Sequence, residues 1–295
     1  MKIKSKNKAI IYLVLSSFFF ALMGMFVRLS GDLPTFQKMF FRNIIAAVIA
    51  FIIIIKNKVS FLPQKKANVA TLGLRTLFGL CGVFCNFYAV DRLVLSDASI
   101  LNKMSPFFVV IFSFLILSEK PAFVQMITVC GAFLGALFVI KPSFHNAQFL
   151  PSVIGFMGGA CAGIAYTFVR KATLSGENSA YVVFFFSFVS TVITLPFFII
   201  FYKTMTVFQF VMLLFAGLSA AGGQFMITLA YKNAPSKEIS VYDYSQIIFT
   251  ALLGFFVFSQ TPDLFSVIGY FVIIVMALLS FMYSNRLWWF KNSKT

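Results

Sequence analysis

The chain has 295 residues, of which 60% are hydrophobic, 18% aromatic and only 11% charged, and its formal net charge is +16. A soluble domain is about 45–50% apolar and about 25% charged, so this chain has too little polar surface to cover a soluble globule. The composition therefore excludes a soluble enzyme, a soluble nucleic-acid-binding protein and a disordered segment as descriptions of the whole chain, and indicates that lipid is the solvent.

Ten apolar runs follow one another along the chain, each long enough to span a bilayer. A spanning helix needs about 20 apolar residues at a rise of about 1.5 Å per residue. Runs of this length are unlike the alternating strands of about ten residues in a membrane β-barrel. The first run follows four Lys residues but is longer than a signal-peptide core, so we expect it to be retained. The predicted spans are 9–29, 35–55, 68–90, 95–117, 122–140, 150–170, 179–202, 208–231, 236–258 and 262–284.

Lys and Arg are unevenly distributed between the two predicted faces of the membrane. Ten spans place both termini on the same side, and that side carries 16 of the 24 basic residues, against 5 on the other side and 3 within spans. The positive-inside rule then predicts that both termini are cytoplasmic, in the cytoplasmic (inner) membrane of the cell. The net charge is thereby explained as a topology signal, without a nucleic-acid partner.

The second half of the chain repeats the first. When the halves are aligned, Ser118 falls on Ser259, and Arg28 falls on Arg170 at an offset that is longer by a single position. Each half holds five predicted spans, and an odd number gives the halves opposite orientations in the membrane. Inverted repeats are typical of secondary transporters, whose binding sites lie near the bilayer midplane.

The predicted fold class is therefore an all-α integral membrane protein of ten transmembrane helices. These form two inverted repeats of five helices, the first over residues 1–146 and the second over 147–295.

Five short strings of the sequence are distinctive: Phe40-Phe41-Arg42-Asn43, Asn86-Phe87-Tyr88-Ala89, Ser105-Pro106-Phe107, Ser118-Glu119-Lys120 and Tyr242-Asp243-Tyr244. Across roughly residues 9–284, the chain resembles the EamA-type drug/metabolite transporter superfamily in these strings. The resemblance implies a transporter of small organic metabolites, since members move amino acids, nucleosides, vitamins, sulfonium compounds and drugs in either direction. Three residues depart from the family pattern: Ser118 replaces a commoner Gly, and Ser259-Gln260 replaces Gly-Glu.

Four ionisable residues lie within the predicted spans: Arg42, Arg75, Lys103 and Asp243. Such a residue costs at least about 2.5–3.5 kcal/mol at the bilayer centre, so each is a candidate for function. Lys103 and Asp243 are both expected near the midplane, where they could bind the opposite charges of a zwitterionic substrate. Alternatively, Asp243 takes up a coupling proton, because low dielectric raises the pKa of a carboxylate. The structural alternative is an ion pair that holds two helices together.

Arg42 and Arg75 are candidates for recognising a carboxylate or phosphate, because a guanidinium offers paired donors. The alternative is that these side chains extend toward the lipid headgroups or cap the end of a neighbouring helix. The repeat adds polar stripes on spans four and nine, expected to face one shared cavity: Ser99, Asn102 and Lys103 on the first, and Ser240, Asp243 and Tyr244 on the second. The uncharged candidates that complete the predicted site are Tyr88, Tyr166, Gln224 and Gln246.

The sequence predicts neither a metal site nor a cofactor. Its four Cys lie in apolar runs, its single His is predicted in a loop, and it has no Walker motif. We therefore expect a secondary transporter with alternating access around a midplane cavity, rather than an enzyme. Its expected partners are a small-molecule substrate, the bilayer and a candidate coupling proton. The alternatives are a membrane receptor or lipid-carrier flippase component on the same scaffold, and an intramembrane enzyme.

Overall fold

The computed structural model describes residues 2–118, 123–140, 148–234 and 239–284. Regular structure within these ranges is helical throughout, without strands. The C-terminal tail, which carries part of the topology prediction, lies outside them. In chain order the helices are α1 (Lys2–Leu29), α2 (Thr35–Lys56), α3 (Asn68–Arg92), α4 (Leu95–Asn102), α5 (Ser105–Leu117), α6 (Phe123–Ile140), α7 (Phe149–Leu174), α8 (Ser179–Ile200), α9 (Val207–Asn233), the 3₁₀ helix η1 (Ser240–Tyr244), α10 (Ser245–Phe258) and α11 (Leu264–Ser284).

Seven helical segments of the described ranges are long and apolar enough to cross a membrane. They coincide with predicted spans one to four and six to eight. The other three predicted runs also contain helix, but their apolar stretches, 126–135, 242–258 and 264–276, are shorter. The protein is therefore a helical multi-pass membrane protein, and ten spans remain a prediction.

Two predicted spans are interrupted, which corrects the expectation of continuous helices over 95–117 and 236–258. In the first, α4 ends at Asn102 and α5 begins at Ser105. Pro106 causes this break, because it lacks the N–H that would bond the Asn102 carbonyl. In the second, η1 precedes α10, and the Ser245 hydroxyl donates to the carbonyl of Tyr242 at 2.8 Å. Such a local bond competes with regular helix.

The ends of α3 and α9 are capped in the same way, each by an arginine from the first helix of its own half of the chain. Arg28 of α1 donates to the carbonyl of Leu93 at 2.5 Å. Arg170 of α7 donates to the carbonyl of Ala234 at 3.3 Å. Cations near a helix C-terminus satisfy its free carbonyls and complement its dipole. The two arginines occupy matching positions of the sequence repeat, and so do their two acceptors.

Helix packing also matches between the two halves of the sequence repeat. Helix α1 packs on α9 and α3 packs on α7, while α2 pairs with α8 and α6 pairs with α11. Ser118 and Ser259 both end their helices in the left-handed conformation, with φ of 56° and 51°. These contacts in one half thus have counterparts in the other, and the interrupted helices lie between the α1–α9 and α3–α7 pairs.

Candidate functional site

The two interrupted helices meet in a buried ion pair. Lys103 Nζ lies 2.8 Å from Asp243 Oδ1, and the two side chains are 1% and 0% exposed. Lys103 stands at the break between α4 and α5, and Asp243 lies in η1, so the pair joins the two halves of the chain. Lys103 and Asp243 therefore form an ion pair, whose structural or substrate-binding role is a separate question.

Ser17 of α1 also forms hydrogen bonds with the aspartate. Its hydroxyl lies 3.1 Å from Asp243 Oδ1 and 3.2 Å from the backbone carbonyl oxygen of Asp243. The second carboxylate oxygen, Oδ2, is buried and has no hydrogen-bond partner among the described residues. The hydroxyls of Tyr231 and Tyr244 are also buried without a partner in the described part of the chain. Polar groups of the pair therefore remain available to a ligand, a proton or water.

Helix α7 supports the break in the first half through its glycines. A Cβ at Gly159 would lie 2.5 Å from the backbone oxygen of Leu101, and one at Gly163 would lie 2.8 Å from that of Ser105. Only glycine admits such a close approach of two backbones. Ser17 in the first repeat and Gly159 in the second occupy matching positions of the sequence alignment. Matching positions of α1 and α7 therefore contact the two breaks.

A cavity of about 50 Å³ lies among α1, α2, α3, α7, α8 and α9 and reaches the two breaks at Asn102 and Gln246. Lys103 and Asp243, which were predicted to face a shared cavity, are not among the residues that line it. The cavity has room for a few water molecules. Six of the predicted site residues line it: Arg42, Arg75, Asn102, Tyr166, Gln224 and Gln246.

Arg42 and Arg75 are buried in the interior, at 1% and 2% exposure, instead of extending toward the headgroups. Arg42 Nη1 donates to Asn43 Oδ1 at 2.5 Å, and Arg75 Nη2 donates to Gln224 Oε1 at 2.8 Å. Both guanidinium groups lie over the ring of Phe186, with their Cζ atoms 5.5 Å and 3.7 Å from its centroid. The ring attracts both cations through its π-face and holds them at the cavity.

Other predicted site residues lie elsewhere. Tyr88 stacks against Arg92, with Cζ 3.8 Å from the ring centroid, and does not line the cavity. Ser99 is buried in α4, and its hydroxyl has no hydrogen-bond partner among the described residues. Tyr244 packs against Phe107 beside the ion pair. The side chain of Ser240 lies outside the described part of the chain.

Three contributors to the site were not predicted from the sequence: Ser17, Gly79 and Phe186. Gly79 stands one helical turn after Arg75, and a Cβ there would lie 2.1 Å from Arg75 Nη1 and 2.8 Å from the Phe186 ring. A small residue four positions after a buried arginine was the available signal for Gly79. Phe186 is one of 42 Phe residues, so composition could not distinguish it.

Loop contacts hold the two ends of the molecule. Asp32, before α2, pairs with Lys203, before α9, at 3.1 Å, and the Gln37 side chain exchanges two hydrogen bonds with the Lys203 backbone. The hydrogen bond from Lys203 lowers the pKa of the Asp32 carboxyl below its ordinary value. Glu177, between α7 and α8, accepts a hydrogen bond of 2.6 Å from Asn68, at the start of α3. In each contact, the loop after the first helix of one half thus meets the segment before or at the start of the third helix of the other half.

Comparison with known proteins agrees with this architecture. The EamA-like transporter family matches the chain twice, over residues 7–141 and 150–282. The chain is 31% identical over 275 residues to the pseudopaline exporter CntI of Pseudomonas aeruginosa, covering 92% of this chain and 95% of that protein. It is 22% identical over 259 residues to the S-adenosylmethionine uptake transporter of Rickettsia bellii, covering 88% and 87%.

A solved crystal structure shares the fold. It superposes with a TM-score of 0.73 at 14% sequence identity, covering 96% of this chain and 100% of that chain. Both halves of the chain match the family, and a relative more than 30% identical extends over nearly its whole length. The chain therefore belongs to the EamA-like transporter family and is a multi-pass membrane transporter.

Proposed function

We propose that the protein is a secondary transporter that moves small polar organic metabolites across the cytoplasmic membrane by alternating access. The observation that carries the proposal is the buried Lys103–Asp243 pair, which joins two interrupted helices beside a polar cavity. Interrupted helices that meet near the middle of two repeats are characteristic of transporter binding sites. They leave backbone and side-chain polar groups without helical partners, and a substrate can satisfy them.

Alternating access requires two halves that can exchange roles. Three features support a pseudo-two-fold relation between the halves. These are the matching arginine caps, the matching left-handed helix ends, and the packing of the first helix of each half on the third helix of the other. We propose that the halves are inverted repeats divided near residue 146, with ten spans and both termini cytoplasmic, as the distribution of Lys and Arg favours.

The two end contacts are the gates in this proposal. The outer contact joins Asp32 and Gln37 to Lys203, and the inner contact joins Glu177 to Asn68. Both are formed while the central cavity measures about 50 Å³, so we assign this conformation as occluded. Opening one contact would admit substrate from one side, and opening the other would release it.

The relatives support a small organic cargo. One is named as an exporter of pseudopaline and another as an uptake transporter for S-adenosylmethionine. The same family architecture therefore serves both directions, and substrate gradients or a coupled ion decide which direction operates. In the proposal Asp243 is the candidate proton carrier, because its Oδ2 has no hydrogen-bond partner among the described residues.

Purified protein in proteoliposomes tests the proposal. Uptake and counterflow would be measured for a panel of anionic, zwitterionic and cationic metabolites, including S-adenosylmethionine and pseudopaline, with and without a pH gradient. We expect saturable movement of at least one compound, lost in Asp243→Asn and retained in the surface control Lys171→Gln. Folded wild-type protein that moves no compound in either direction would contradict the transporter mechanism.

A further inference from the structure

We infer that the substrate of this cavity is a dianion, with two negative charges on oxygen groups that Arg42 and Arg75 bind together. The inference rests on the proposed function and narrows its substrate class. Both arginines are nearly fully buried, and both line the same small cavity. The shared chemistry is that of a dicarboxylate or of a phosphate monoester, and the experiment below distinguishes these two sources.

The first argument is the charge balance of the site. Neither guanidinium forms an ion pair with any carboxylate in the described part of the chain. The Asp243 carboxylate is already neutralised by Lys103 at 2.8 Å. Arg42 and Arg75, Lys103 and Asp243 together leave a surplus of two positive charges. Buried charges without a counter-ion are strongly unfavourable, and a ligand of charge −2 would neutralise this surplus completely.

The second argument is the availability of donors. Arg42 and Arg75 each use one terminal nitrogen on a neutral amide, from Asn43 and Gln224 respectively. Their Nε groups are buried and have no partner among the described residues. A guanidinium binds carboxylate or phosphate oxygens through paired N–H groups, so each arginine still has donors for an anionic group.

The third argument is that both guanidinium groups contact the same aromatic ring. Both lie against the same ring of Phe186, and the charge of Arg42 acts unfavourably on Arg75. A single monoanion would leave one of the two cations unneutralised. Two anionic groups, or one doubly charged group between them, would remove the repulsion as well as the burial cost.

A vestibule at the predicted outer end is consistent with anion passage. It has a volume of about 560 Å³ and contains four basic side chains and two acidic ones. The basic residues are Arg28, Lys38, Arg92 and Lys203, and the acidic ones are Asp32 and Asp91. A surplus of positive charge around an opening raises the local concentration of anions.

Ligand binding to the detergent-purified full chain tests the inference, with thermal stabilisation as the readout. The probes are glutarate, a dicarboxylate, and glycerol 3-phosphate, a phosphate monoester, each at millimolar concentration. Their matched controls are glutaramate, with one carboxylate, glutaramide, with none, and glycerol. We expect at least one dianion to raise the melting temperature by more than its controls. Stabilisation by glutarate alone would identify a dicarboxylate site, and stabilisation by glycerol 3-phosphate alone a phosphate site.

Neutralising one arginine should change the preferred charge of the ligand by one. In Arg75→Gln or Arg42→Gln we expect the affinity ratio of dianion to matched lower-charge control to fall about tenfold or more, while Lys171→Gln leaves it unchanged. Arg75→Lys keeps the charge but loses the paired donors, so it should retain the charge preference with weaker binding.

The melting temperature of the ligand-free protein provides a second test. If the two arginines lack a counter-ion, then Arg42→Gln and Arg75→Gln should keep or raise the melting temperature of the ligand-free protein. A marked loss of stability in both variants would assign the arginines a structural role and overturn the inference. So would the absence of stabilisation by either dianion. Transport of zwitterions or cations, with neither dianion bound or moved, would also overturn it while leaving the proposed transporter function intact.

Discussion

At the scale of single residues, the Lys103–Asp243 pair is costly to bury. Two charges lie buried at 1% and 0% exposure, where desolvation offsets much of their attraction. Ser17 compensates one carboxylate oxygen, while the other has no hydrogen-bond partner among the described residues. Such a pair stabilises the fold little compared with apolar packing, so its presence favours a functional role.

A double-mutant cycle separates the structural and functional contributions of this pair. Asp243→Asn alone leaves Lys103 buried without a counter-ion, so the free energy of unfolding should fall by about 3–5 kcal/mol. Lys103→Met combined with Asp243→Asn should recover most of that loss but not transport. Chemical denaturation in detergent and proteoliposome uptake measure the two effects. Additive stability losses in the double variant would contradict the coupling.

Gly79 sets the position of the Arg75 guanidinium, so a methyl group there should displace it. A Cβ at Gly79 would lie 2.1 Å from Arg75 Nη1, the mobile end of a flexible side chain. We expect Gly79→Ala to keep the fold and to weaken substrate binding about tenfold or more, as the loss of a charged hydrogen bond would. Gly73→Ala on the same helix is the control, since nothing lies within 4 Å of its added Cβ. Equal binding by both variants would disprove this role.

At the scale of elements, α7 and the α4–α5 break depend on each other. Pro106 prevents regular helix through the break, and the glycines of α7 let this helix approach the backbone carbonyls of the break closely. Gly159 meets the backbone of Leu101, which cannot move aside as a side-chain end can.

Gly159→Ala should therefore destabilise the protein more than a glycine-to-alanine substitution at an unhindered position. Overpacking against rigid backbone typically costs about 1–3 kcal/mol, so we expect a matching loss of unfolding free energy and reduced transport. Gly24→Ala in α1 is the control, because its Cβ would meet Leu95 at an ordinary 3.6 Å. The two variants can be compared by thermal denaturation in detergent. Similar melting temperatures would show that α7 can move away from the break without cost.

At the scale of the whole molecule, the two loop contacts are the gates of the proposed mechanism. The outer contact is exposed, with Lys203 and Asp32 at 54% and 103% exposure, so its ion pair is worth little by itself. The inner contact is more buried, since Glu177 is 2% exposed and Asn68 5% exposed. We therefore expect the outer end to open more readily than the inner one.

Cysteine accessibility tests this asymmetry. In a background without native cysteines, Asn86→Cys reports on the cavity that Asn86 lines. Adding Gln37→Ala should increase its labelling by a membrane-impermeant maleimide in intact cells, because this weakens the outer contact. Adding Glu177→Gln should instead decrease that labelling or leave it unchanged, because this substitution weakens the inner contact. The reverse pattern would contradict the predicted orientation.

The outer ion pair should persist over the physiological pH range. Lys203 lowers the pKa of Asp32 in the folded protein, so the stabilisation is present above the ordinary value of 3.8. It is lost only as the pH falls below that value and through the lowered pKa, when the carboxylate becomes protonated. Labelling of the Asn86→Cys reporter should therefore not change with external pH between neutral and mildly acidic conditions. A rise on mild acidification would assign gating to another group.

The sequence by itself determined the membrane environment, the helical class and the repeat. Hydrophobic runs of span length dictate helices, because lipid cannot satisfy backbone polar groups. The alignment of the two halves predicted that Arg28 and Arg170, and likewise Ser118 and Ser259, would occupy matching places. The cost of burying a charge in lipid identified Arg42, Arg75, Lys103 and Asp243 as exceptional, and their expected depth singled out Lys103 and Asp243.

Only the tertiary structure decided what those exceptional residues touch. Lys103 and Asp243 lie in different halves of the chain, and no periodicity specifies that they meet at 2.8 Å. Arg42 and Arg75 were ambiguous, because a guanidinium near a span end can extend outward as easily as inward. Helix packing placed both against Phe186, and a local pattern cannot encode such contacts between distant helices. The physical reason is that hydropathy reports the surrounding solvent, whereas the partner of a buried charge depends on how all the helices pack.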